Sequence, residues 1–108
     1  MQSNNSLMDE VIPLQFFLSQ NYPNPFKEKT TIKYCVAYRT RVQITVYGAE
    51  GTMIEKLVDE VKEAGTYEVE FSVCVDNSGI VRKLTKGSYY YSLEAGEYRS
   101  EKKMLLLK

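Results

Sequence analysis

The chain of 108 residues contains no histidine and no tryptophan. Without histidine it lacks the commonest general base near neutral pH and the commonest metal-ligating side chain. Its serines have no imidazole to activate them, and no G-x-S-x-G elbow occurs. Cys35 and Cys74 are the only cysteines, and two cysteines without histidine match no zinc-binding spacing. A glycine-rich phosphate loop is missing as well. No apolar run approaches the roughly 20 residues that span a bilayer as a helix. Charge of one sign is not in excess: Lys and Arg number 14, and so do Asp and Glu. That balance gives no argument for a nucleic-acid or anionic-membrane partner. The carboxylate pairs Asp9/Glu10 and Asp59/Glu60 lie in polar segments and read as solvated surface. Asp76-Asn77-Ser78-Gly79 lacks the spaced carboxylates of a calcium loop and reads as a turn. The expectation is a protein that is not an enzyme and needs no cofactor.

What is abundant is tyrosine, with nine residues, a side chain that favours strands. Residues 1–12 are polar, lack the basic start and apolar stretch of a secretion signal, and read as a linker or disordered lead-in. The domain is expected over residues 13–108. Leu14 to Leu18 predicts a first strand at a sheet edge. Thr30 to Val36 alternates polar and apolar residues, with Ile32, Tyr34 and Val36 on one face. Arg41 to Tyr47 does so more cleanly, with Val42, Ile44 and Val46 inward. Thr52 to Val58 predicts a fourth strand of less regular period, and a short helix over 54–62 competes with it. Thr66 to Val73, Ser88 to Leu93 and Tyr98 to Leu107 complete the set. All six glycines fall in or beside the intervening turns. Seven short strands with turn signals about every ten residues predict an all-β, immunoglobulin-like antiparallel sandwich.

Three local features bear on function. The first is Gln20-Asn21-Tyr22-Pro23-Asn24-Pro25-Phe26, whose prolines forbid a helix and deny a sheet two donors. Asn21 and Asn24 are expected to bond back to nearby backbone and close a turn, with Tyr22 and Phe26 pinning it by their apolar surface. The second is Tyr89-Tyr90-Tyr91: in a strand, Tyr89 and Tyr91 face the core and Tyr90 faces out. The third is Lys102-Lys103-Met104-Leu105-Leu106-Leu107-Lys108, a closing strand with Lys103, Leu105 and Leu107 on one face and Met104 and Leu106 on the other. Four adjacent apolar residues imply that both faces are partly covered or that one awaits a partner. Cys35 and Cys74 both point away from the apolar faces of their strands and can pair in a disulfide if those strands are neighbours.

Taken together these blocks resemble the type A C-terminal sorting domain of the type IX secretion system. The opening Leu18-Ser19-Gln20-Asn21-Tyr22-Pro23-Asn24-Pro25-Phe26 and Thr31-Ile32-Lys33-Tyr34 match its start. Val42 to Tyr47 with Gly51 resembles V-x-L-x-V-Y-D-x-x-G, and Ala64-Gly65-Thr66-Tyr67-Glu68-Val69 resembles A-G-T-Y-x-V. Gly87 to Gly96 resembles G-V-Y-F-Y-R-L-x-A-G, and Lys103 to Lys108 its closing K-M-L-L-L-K. The longer stretch from Asp76 to Lys86 is similar to the related immunoglobulin-like domain of flagellar hook-capping proteins. The resemblance implies a domain that directs an attached upstream cargo through the periplasm to the cell surface or medium. It implies two partners, an outer-membrane translocon and a sortase-like protease. Lys102 to Lys108 are the residues expected to be read, as an exposed strand edge suited to pairing.

Two other functions fit the same residues. One is a structural subunit that self-associates through edge strands, using Phe16 and Phe17. The other is a carbohydrate-binding module built on Tyr90.

Overall fold

The computed structural model of the chain describes residues 15–107. The expected lead-in over 1–12, the domain start at Pro13 and Leu14, and Lys108 lie outside the described residues. Wherever the sequence alternates, the backbone is extended. Seven strands follow in order: β1 (Phe17–Leu18), β2 (Lys29–Val36), β3 (Thr40–Gly48), β4 (Met53–Lys62), β5 (Gly65–Ser72), β6 (Gly87–Ala95) and β7 (Tyr98–Leu106). All pairings are antiparallel, in a three-stranded sheet β1-β2-β5 and a four-stranded sheet β4-β3-β6-β7. The described residues contain no helix.

The inner faces meet as period-two alternation demands. Ile32, Tyr34 and Val36 of β2 face Val42, Ile44 and Val46 of β3, with Tyr91 and Leu93 of β6 alongside, all buried. Tyr89 and Tyr91 point inward as expected, while Tyr90 is half-exposed on the outer face. Two tyrosines also brace the backbone. Tyr67 donates to the carbonyl of Glu63 and Tyr89 to that of Thr85, each at 2.6 Å and each four residues upstream.

The competing helix over 54–62 does not form. Residues Met53–Lys62 pair along the whole of β3, from Thr40↔Lys62 to Tyr47↔Met53. The period of β4 is irregular because the register shifts twice, leaving Leu57 and Ile54 each without an opposite residue. Both bulged side chains pack against the core, so the pattern reads as neither a clean strand nor a helix.

The possible Cys35–Cys74 disulfide is absent; both are free thiols, Cys35 half-buried and Cys74 exposed. β2 and β5 are neighbours, but their antiparallel register sets Cys35 opposite Thr66. Cys74 lies beyond Ser72, which pairs with Lys29 at the other end of the ladder. The separation is therefore at least ~20 Å along the strands, against the roughly 7 Å a disulfide tolerates.

Candidate recognition site along the last strand

β7 forms one edge of the four-stranded sheet. Met104 and Leu106 are each 1% exposed and anchor it in the core, whereas Leu105 is 37% and Leu107 42% exposed. Lys103 points out with them, and Lys102 is half-buried on the inner side. The sequence-predicted division of faces therefore holds. The outward ridge Lys103–Leu105–Leu107 puts one cation and two leucines on the outer face of the sheet.

The backbone of these same alternate residues points sideways, toward the open edge. There the chain supplies its own cover. Gln20 donates from Nε2 to the carbonyl of Lys103 at 2.7 Å. Asn24 accepts on Oδ1 from the amide of Leu105 at 3.0 Å. The Phe26 amide donates to the carbonyl of Leu105 at 3.0 Å, and the Leu107 amide to the carbonyl of Phe26 at 2.7 Å, a parallel bridge centred on Leu106. From the carbonyl of Lys103 to the amide of Leu107, every sideways backbone group of β7 is thus satisfied.

The proline segment can do this because it lies between the two sheets and bonds to both. Gln20, Asn24 and Phe26 turn to β7, while the backbone of Tyr22 exchanges two hydrogen bonds of 2.9 Å with Thr31 of β2. Prolines suit such a stretch, which has no ladder partner on every residue and little need for the two missing amides. The Tyr22–Pro23 and Asn24–Pro25 peptide bonds are both cis. Asn21 is buried and organises the turn: its Nδ2 donates to the carbonyl of Pro23 at 3.1 Å and to Thr30 Oγ1 at 3.0 Å. Thr30 Oγ1 in turn donates to the Pro23 carbonyl at 2.8 Å. The Phe26 ring fills the gap between the sheets, edge-on to Phe71 with centroids 6.2 Å apart. Nearer the chain start, Phe16 stacks on Tyr98, the first residue of β7, and Tyr91 donates to the Ser19 carbonyl at 2.6 Å. Burial pushes the Tyr91 phenol up to about 12.

Three expectations are corrected here. Asn24 does not close a local turn; its side chain reaches across 81 residues to β7. Tyr22 does not pin the turn, being 81% exposed; Phe26 alone does so. The last strand does not present a bare edge over Lys103 to Leu107, because the proline segment occupies it. Pro23 and Pro25 lie within the turn that Asn21 organises, and Gly51 and Gly96 sit in turns with φ of 93° and 60°. Gly65 and Gly87 open β5 and β6.

Two features escaped the sequence reading. The contact of Gln20 with β7 carries no local signal, since its partner lies 83 residues away. The other is an ion pair at the far side of the sandwich: Arg82 Nη2 lies 2.7 Å from Glu55 Oε1, with Glu55 almost fully buried. Arg82 also donates to the carbonyl of Ser72 and lies over the Phe71 ring, and the amide of Asn77 donates to Glu55 at 2.8 Å. Tyr90 faces a shallow hollow of about 350 Å³ with Tyr47, Arg99 and Glu101 on its walls.

A family model described as a secretion system C-terminal sorting domain matches residues 20–107. No curated protein matches the sequence. Among solved structures, the chain is similar to dimeric latent PorU from Porphyromonas gingivalis, at 17% identity and a TM-score of 0.62. That match covers 82% of this chain but only 9% of the other, so it speaks to the fold of one small part of a much longer protein. The alkylpurine DNA glycosylase AlkC of Pseudomonas fluorescens, solved on DNA containing an abasic-site analogue, matches at 10% identity over 86% of this chain and 30% of its own. Its TM-score of 0.44 is too low to carry an argument.

Proposed function

Because the chain belongs to the secretion system C-terminal sorting domain family, we propose that the export machinery reads its last strand through the outward ridge Lys103, Leu105 and Leu107. The domain is a sorting signal that works with a secretion apparatus on behalf of an attached cargo. The finer reading is export by the type IX route. An outer-membrane translocon would recognise the domain, a sortase-like protease would remove it, and the cargo would reach the surface or medium. Recognition of this kind needs a fixed shape and no bond chemistry, which agrees with the composition.

One observation carries the choice of ridge over edge. Between Lys103 and Leu107 the sideways backbone groups are already hydrogen-bonded to residues 20–26. Strand addition there would have to displace the Phe26 bridge and with it a fully buried ring. What remains available to a partner is the face: two partly exposed leucines and an ammonium group, a combination suited to an apolar groove with an acidic rim.

The test is export of a reporter fused ahead of the chain in a host that has the system. Lys103→Glu combined with Leu105→Ser and Leu107→Ser leaves Met104, Leu106 and the proline segment in place. Export is expected to fall to the level of a fusion lacking residues 103–108 while the purified domain melts as before. Wild-type export by this variant contradicts the reading.

A further inference from the structure

We infer that Asn24, assisted by Gln20, is a positioning residue for the export signal, setting the place of the Lys103–Leu105–Leu107 ridge without itself meeting the machinery. The inference rests on the ridge being what is read. An edge strand is tied into its sheet from one side only. Here the second side is tied by two kinds of contact. Phe26 supplies a backbone bridge and a buried ring. Asn24 and Gln20 supply side-chain bonds at exposed positions and bury little apolar surface.

That difference separates positioning from stability. Removing the Phe26 ring opens the core. Removing the Asn24 amide leaves the exposed Leu105 amide to water, which costs little in folding free energy. The strand end then gains freedom where two outward side chains must be presented together. Asn24 Oδ1 is the acceptor for Leu105, the middle residue of the ridge. Aspartate keeps a carboxylate oxygen at the same reach, so it preserves the contact while alanine abolishes it.

The experiment compares Asn24→Ala, Asn24→Asp and Gln20→Ala in the same reporter fusion, with urea midpoints measured on the purified chain. Asn24→Ala is expected to lower export about tenfold with little change in midpoint, and Asn24→Asp to restore it. Gln20→Ala is expected to lower export by a smaller factor, about threefold. Should Asn24→Ala fail to fold, Gln20→Ala decides: lowered export with an unchanged midpoint supports the inference, and normal export overturns it. Normal export by a folded Asn24→Ala overturns it too, as does failure of a folded Asn24→Asp to restore export. The two readings fail separately. Ridge variants that export normally remove recognition by the ridge, whereas Asn24→Ala exporting normally removes only the positioning role.

Discussion

The two long sides of the sandwich are closed by different means. On one side β1 and β7 are the edge strands, and a single stretch of chain, residues 16–26, runs parallel to β7 and stitches it to β2. On the other side β5 and β4 are the edges, and the closure is made by side chains: the Glu55–Arg82 pair and the ammonium group of Lys62 over the Tyr67 ring. Backbone stitching saturates an edge and denies it to other strands. Side-chain closure leaves the edge groups of β4 and β5 in place and relies on charge, on the bulges of β4 and on salt-bridged outer faces such as Lys33–Glu68. The side that carries the proposed recognition ridge is therefore the one whose backbone is hydrogen-bonded from Lys103 to Leu107, so on that proposal specificity resides in side chains.

This contrast can be broken from either side. The largest effect is expected for Phe26→Ala, which empties a fully buried site between the sheets and should cost about 4 kcal/mol in urea unfolding. Glu55→Ala strikes the opposite side. It strands the Arg82 guanidinium at a largely buried position and should cost about 3 kcal/mol, with Glu55→Gln costing less because the amide oxygen still accepts. High pH sharpens the comparison, because Tyr91 belongs to the stitched side. Its phenol is held up to about 12 by burial, against an ordinary value of 10.0. The unfolded chain loses this proton first, so the stability it carries is complete below pH 10 and falls as pH rises from 10 toward 12. The loss is of order 2–3 kcal/mol in all. Tyr91→Phe should flatten that part of the pH profile. Tyr22→Ala is expected to change stability by less than about 0.5 kcal/mol, despite lying four residues from Phe26 in the same motif.

The two sides also differ in how far the sequence disclosed them. Alternation placed the strands and the inward residues of β2, β3 and β6, because period-two burial leaves a local trace. The proline motif announced an unusual segment but not its partner. Its prolines explain why the stretch cannot be a ladder strand, and nothing near residue 24 says that its amide oxygen meets Leu105. The Glu55–Arg82 pair left no trace at all, since each residue alone looks like ordinary surface charge and only the fold brings them together. The possible thiol pairing does not form for a related reason. Facing was legible, but register was not, and antiparallel register put Cys35 and Cys74 at opposite ends of β2 and β5. In β4 the strand was legible, but the bulges at Leu57 and Ile54 break its period and let a helix over 54–62 compete with it.

The central claim is that the backbone edge of β7 from Lys103 to Leu107 is already occupied. Native-state amide hydrogen exchange tests it most directly. Leu105 and Leu107 have partners beyond their own sheet, whereas the sideways-pointing amides of Arg99 and Glu101, on the same edge of the same strand, have none among the described residues. The expected result is that Leu105 and Leu107 exchange at least about tenfold more slowly than Glu101 after correction for intrinsic rates. Exchange at Leu105 and Leu107 as fast as at Glu101 would mean that the edge is open and would contradict the account.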